Sequence, residues 1–126
     1  RFESRYSTPE GGPLPAGLSL AAGVKKEKGA DVRISAEGGW VRSWEELNRY
    51  GRDGFMGCAV IVDPARFEAA TELDGNIVVS FRGPAVHYAG TGWDRSGDFK
   101  GVADFDAAVA AFARRITAPL KVEVVR

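Results

Sequence analysis

Apolar and polar positions alternate with a period of two along most of the chain and change to a helical period once, near the C-terminal end. Leu18 and Leu20 flank Ser19, and Val32, Ile34 and Ala36 alternate with Arg33, Ser35 and Glu37. Ile77, Val79 and Phe81 alternate with Val78, Ser80 and Arg82, and Val86 and Tyr88 with His87 and Ala89. A period of two marks a strand with one buried face, so each segment predicts a strand. The charged, glycine-containing run from Lys25 to Asp31 suits an exposed turn, which predicts a hairpin joining the first two segments. The continuous apolar run from Gly54, ended by Asp63-Pro64, predicts a central strand covered on both sides. A short strand is expected over Phe67 to Thr71, followed by a turn at Asp74-Gly75-Asn76, because Gly and Asn tolerate positive φ at little cost.

Between Gly38 and Gly54, Trp40, Trp44 and Tyr50 stand among arginines and acids with no clean period, which predicts a long irregular connection. From about Val102 to Thr117 the period becomes helical. Phe105, Val109, Phe112 and Ile116 fall on one stripe, with acids near the start and Arg114 and Arg115 near the end, as the helix dipole favours. Pro119 ends the helix, and Leu120, Val122 and Val124 predict a closing strand. The expected fold is mainly β: an antiparallel β-sandwich or supersandwich fragment, residues 1–126 in one domain, with a single C-terminal amphipathic helix.

Composition narrows the function. The 126 residues carry 17 basic and 17 acidic side chains, which removes the basic excess that nucleic acid or an anionic membrane surface requires. No apolar stretch approaches the roughly 20 residues of a membrane-spanning helix. No nucleic-acid or membrane partner is expected. The single cysteine, Cys58, lies in the apolar run and reads as a small buried hydrophobe. One histidine and one cysteine cannot compose a zinc site of the usual ligands, so no metal and no cofactor are expected. The chain opens on Arg1 with no basic-then-apolar leader, the pattern of a processed product or of a section of a longer protein.

The most informative segment for chemistry is Val86 to Phe99. A regular strand through Trp93 puts His87, Ala89, Thr91 and Trp93 on one face and Val86, Tyr88, Gly90 and Gly92 on the other. An indole stacks on the apolar face of a sugar, and an imidazole titrates near neutrality and serves as acid or base. His87 is therefore the candidate catalytic residue and Trp93 the candidate stacking platform. A structural histidine and a core tryptophan would give the same pattern. Arg82 and Arg95 flank the strand, and the planar guanidinium fork pairs well with a carboxylate such as a uronate. Trp40 and Trp44 are further aromatic candidates for substrate binding, unless they pin the connection to the sheet. Gly90, Gly92 and Gly97 do not match a phosphate-binding loop; glycines at a strand end mark a bulge or a close backbone approach.

Gly17-Leu18-Ser19-Leu20, Val62-Asp63-Pro64, His87 through Phe99, and the helix closing in Ala118-Pro119-Leu120-Lys121-Val122 together resemble the C-terminal part of the bacterial domain-of-unknown-function 4861 family. The resemblance runs from about Gly17 to Val124 and is most specific from Gly90 to Phe99. It implies a galactose-mutarotase-type supersandwich of which this chain is the last section. It also implies association with enzymes that degrade pectin and related uronic-acid polysaccharides, unsaturated glucuronyl hydrolases among them, and a periplasmic or extracellular address.

The expected function is carbohydrate-active: a lyase or hydrolase processing a uronic-acid-containing polysaccharide or oligosaccharide such as pectin. The alternative is a non-catalytic carbohydrate-binding or accessory module, with a catalytic domain in the same parent protein as its partner. An aldose-epimerase-like activity follows from fold analogy alone.

Overall fold

Among the described residues, eight strands and one long helix follow one another along the chain. The computed structural model describes residues 1–48 and 51–124. The strands are β1 (Phe2–Ser4), β2 (Leu20–Lys25), β3 (Asp31–Ser35), β4 (Trp40–Glu46), β5 (Phe55–Ile61), β6 (Phe67–Leu73), β7 (Asn76–Phe81) and β8 (Ala85–Trp93), and the helix is α1 (Val102–Thr117). A five-stranded antiparallel sheet runs β1-β8-β5-β4-β3, and a three-stranded one runs β2-β7-β6. The mainly-β fold with one C-terminal helix is thus as expected.

Three layers enclose two cores. Val24, Val41, Val60, Val62, Ile77, Val79 and Phe81 fill the space between the sheets. On the other side of the larger sheet, Trp40, Trp44, Ala59 and Ile61 meet Phe105, Val109 and Ala113 of α1. The helix sits close because two glycines make room for it. Gly57 of β5 and Gly92 of β8 are direct cross-strand partners, and a Cβ on either would come within 2.4 Å or 2.7 Å of the Phe105 ring. The paired glycines form a socket for that ring, the close approach that a glycine inside a strand marks. The turn between β6 and β7 is as expected: Asp74 and Gly75 both have positive φ, the backbone that a two-residue hairpin turn requires.

Three expectations are corrected. Residues 38–54 are not an irregular connection: β4 lies there, central in the sheet and paired on both sides. Its two faces are both buried, Val41 and Ser43 against the small sheet and Trp40, Arg42 and Trp44 beneath α1, so no alternation is visible. Tyr50, part of the same expectation, lies outside the described residues. The predicted hairpin between the first two strands does not form: β2 pairs with β7 in one sheet and β3 with β4 in the other. No closing strand follows the helix, since residues 118–124 have no regular structure and Leu120 is 95% exposed.

An ion-pair network fastens the helix to the sheet. Arg42, only 3% exposed, donates from Nε to Asp106 Oδ1 at 2.6 Å and from Nη2 to Asp106 Oδ2 at 3.2 Å. It also donates from Nη1 to the Asp31 carbonyl at 2.7 Å, and Arg33 donates to Asp106 Oδ2 at 2.8 Å. Burial alone would raise the Asp106 carboxyl, but the hydrogen bonds from Arg42 and Arg33 outweigh it and hold the group below its ordinary range. No helix among the described residues is long and apolar enough to cross a membrane.

Candidate functional site

β8 is regular over its whole length, so the parity read from the sequence is the parity in the structure. Its register sets Trp93, Thr91 and Ala89 beside Met56, Cys58 and Val60 of β5. His87, Ala89, Thr91 and Trp93 therefore face the side on which the small sheet packs. That sheet lies over β4 and β5 and stops short of β8. Ala89 and Thr91 are exposed as a result, and Trp93 keeps 41% of its surface open. On the opposite face, Tyr88 packs edge-on against Phe112 and Gly92 lies under Phe105.

His87 and Trp93 are six positions apart, about 20 Å along a strand, so one sugar ring cannot touch both. The two ends of the strip also differ in kind. His87 is half-buried and stacks on Phe2, with centroids 4.9 Å apart and planes within 7°. Burial pushes its imidazole below the ordinary value, so the ring is mostly neutral at neutral pH. Among the described residues no carboxylate hydrogen-bonds either ring nitrogen, so no second group fixes its tautomer as in an assembled acid–base pair.

The Trp93 end is held from several directions. The indole Nε1 donates to the Asp53 carbonyl at 2.7 Å, which fixes the ring while leaving it open. The Asp94 carboxylate accepts from the Phe55 amide at 3.0 Å and ties the end of β8 to the start of β5. Gly54, at φ 75°, must be glycine: a Cβ there would lie 2.2 Å from Asp94 Oδ1 and 3.0 Å from Arg95 Nε. Arg95 thus crosses this corner beside Trp93 and forms no ion pair among the described residues.

The other candidates lie elsewhere. Arg82 is bound to Glu68, which also accepts from Ser19, so its charge is already matched. Trp40 is 4% exposed, with the Arg33 guanidinium 5.6 Å from its ring centroid, and has no open face for a ligand. Trp44 is buried between Phe55 at 6.4 Å and Phe105 at 5.6 Å. Its rim borders a cleft of about 710 Å³ walled by Asp31, Glu45, Glu46, Leu47 and Phe55. Sequence reasoning missed this cleft; its signal was the pair Glu45-Glu46 following Trp44. Among the described residues, Lys28 is the one cation in a lining that holds Glu27, Asp31, Glu45 and Glu46, and this acidic excess disfavours a uronate there. Cys58 is half-buried, and burial with the nearby Glu45 charge pushes its thiol up, keeping it from thiolate chemistry. Among the described residues no three His, Cys, Asp or Glu side chains gather as a metal site.

No curated protein and no solved structure matches the chain. The profile of one family, described as a domain of unknown function (DUF4861), matches residues 2–122. With nearly its whole length aligned, two stacked antiparallel sheets and one terminal helix, the chain belongs to the DUF4861 family.

Proposed function

We propose that this chain is a carbohydrate-recognition module that binds uronic-acid-containing oligosaccharide, the accessory role within a pectin-degrading system. The observation that carries the reading is the corner formed by Trp93 and Arg95. An indole fixed by its own hydrogen bond yet 41% open is a preorganised stacking surface, and the guanidinium that follows it in the chain forms no ion pair among the described residues. The exposed strip toward His87 gives an extended chain of sugars room to lie along β8. The stacked antiparallel sheets support a further part of the reading, that the chain is one section of a galactose-mutarotase-like supersandwich.

Titration calorimetry with tri-galacturonate tests it. Trp93→Ala is expected to weaken binding about tenfold, in keeping with an aromatic contact worth roughly 1 kcal/mol or more. Arg95→Ala should weaken the acid form and leave the methyl-esterified trimer unaffected. Equal binding by wild type and both variants contradicts the proposal. A lyase or hydrolase is the second reading, favoured by the imidazole kept neutral at pH 7 and so available as a base. Unsaturated or shortened products that disappear in His87→Ala would establish it over simple binding.

A further inference from the structure

The open face of β8 does not end at His87. By the same parity Ala85 lies on it as well, eight positions from Trp93 and about 26 Å away along a strand. Phe2, stacked on His87, keeps 53% of its surface open beside that ring. At Ala85 the face meets a groove of about 480 Å³, lined among others by Arg5, Tyr6, Leu14, Leu18 and Pro84. That volume falls within the roughly 300–1,000 Å³ of small-molecule sites. The chain reaches the groove as it leaves β1 at Ser4, the register partner of Ala85, on the side away from Arg1.

Two features of the Trp93 corner recur here. Tyr6 keeps 58% of its surface open and offers a second aromatic platform. Arg5 forms no ion pair among the described residues, and no acidic side chain among them lines the groove, in contrast to the cleft beside Trp44. The segment between Tyr6 and Leu14 is also held by its own hydrogen bonds. The Thr8 amide donates to the Gly12 carbonyl at 2.9 Å, the Gly11 amide to the Thr8 carbonyl at 2.9 Å, and the Gly12 amide to Thr8 Oγ1 at 3.1 Å. Pro13 and Pro15, both in the lining, fix their own φ. The groove is therefore shaped before any ligand arrives, which lowers the entropic cost of binding.

We infer that this groove is the far subsite of one extended binding face, whose ligand is a uronic-acid oligosaccharide long enough to cross from Trp93 to Tyr6. One end of the chain of sugars stacks on the indole beside Arg95, and its middle passes the Phe2–His87 pair. The other end lies in the groove, with the C–H faces of its rings on the apolar walls and a carboxylate on Arg5. A trisaccharide fills only one end. Two modest contacts joined by one chain act at high effective concentration, so affinity rises with the length of the ligand. The inference rests on the sugar reading of the Trp93 corner and adds to it the size of the substrate.

The test compares tri- and hexa-galacturonate on the whole chain, by calorimetry and by the aromatic NMR signals. The hexamer is expected to bind one to one and at least about tenfold more tightly than the trimer, and to move the Trp93 indole and Tyr6 ring signals along one saturation curve. Tyr6→Ala should weaken the hexamer about tenfold and leave the trimer unchanged, whereas Tyr6→Phe keeps the ring and should bind as the wild type does. Arg5→Gln should weaken the acid hexamer and spare its methyl ester. A trimer that moves Trp93, with a hexamer that binds wild type and Tyr6→Ala equally, overturns this inference and leaves the sugar reading standing. Two hexamers per chain, moving Trp93 and Tyr6 along separate curves, overturn it as well. If neither oligomer moves Trp93, the sugar reading fails and the far subsite fails with it.

Discussion

Two regions of the five-stranded sheet, the β3 edge and the Trp93 end of β8, are built in opposite ways. The β3 edge carries Asp31 and Arg33, and both join the network through which Arg42 and Asp106 bind the helix down. Strand β8 carries no acidic, lysine or arginine side chain, places a glycine where nothing touches it, and ends at an open tryptophan. One edge is closed by electrostatics and serves stability. The other leaves a glycine without neighbours and an indole available, at some cost in strand stability. Stability and recognition thus occupy different ends of one sheet, and substitutions should separate them.

The largest effect is expected at the closed edge. Asp106→Ala removes the carboxylate that Arg42 holds with two hydrogen bonds, leaves it only the Asp31 contacts, and should cost about 3 kcal/mol in urea unfolding. Titration reaches the same pair from another direction. The folded Asp106 group lies below its unfolded value, so its contribution is fully present above about pH 4 and is lost as pH falls through the depressed folded value. An acid limb in thermal stability that flattens in Asp106→Asn is the expected signature.

Next come two glycines on β8 that differ in what they touch. Gly92→Val drives a side chain into Phe105 and should destabilise by roughly 1–3 kcal/mol or more. Gly90→Val, two residues away on the same face, meets open space and should be neutral or stabilising by about 0.5–1 kcal/mol. Equal costs at the two positions would erase the distinction drawn between them. The smallest effect belongs to His87. Its folded value is lowered, so stability is expected to fall slightly as pH drops below about 6.5, where the unfolded chain takes up the proton first. His87→Gln should remove that slope.

How much of this was legible in the sequence depended on where each residue's partner lies. β7 and α1 announced themselves because their burial patterns follow the local period, and β5 because it is a continuous apolar run. β4 did not, because Arg42 is buried only by virtue of Asp106, 64 residues later, and Trp40 and Trp44 are covered by a helix equally remote. The false hairpin has a similar cause: whether two adjacent strands pair or separate into two sheets is decided by the inter-sheet core, not by the turn between them. The tail alternates like a strand, yet among the described residues no sheet edge receives it. At the site, strand parity was enough to place His87 and Trp93 on one face. It could not show that Arg82 is already paired, that Arg95 forms no ion pair among the described residues, or that Trp93 is anchored by a carbonyl 40 residues earlier.

The most direct test of the central claim is the indole N–H region of a heteronuclear NMR spectrum during titration with tri-galacturonate. The chain has three tryptophans, two under the helix and one at the open corner. The Trp93 signal is expected to move and saturate while those of Trp40 and Trp44 stay in place, and Arg95→Ala should abolish the movement. A stationary Trp93 signal, or movement confined to Trp44, would contradict the assignment.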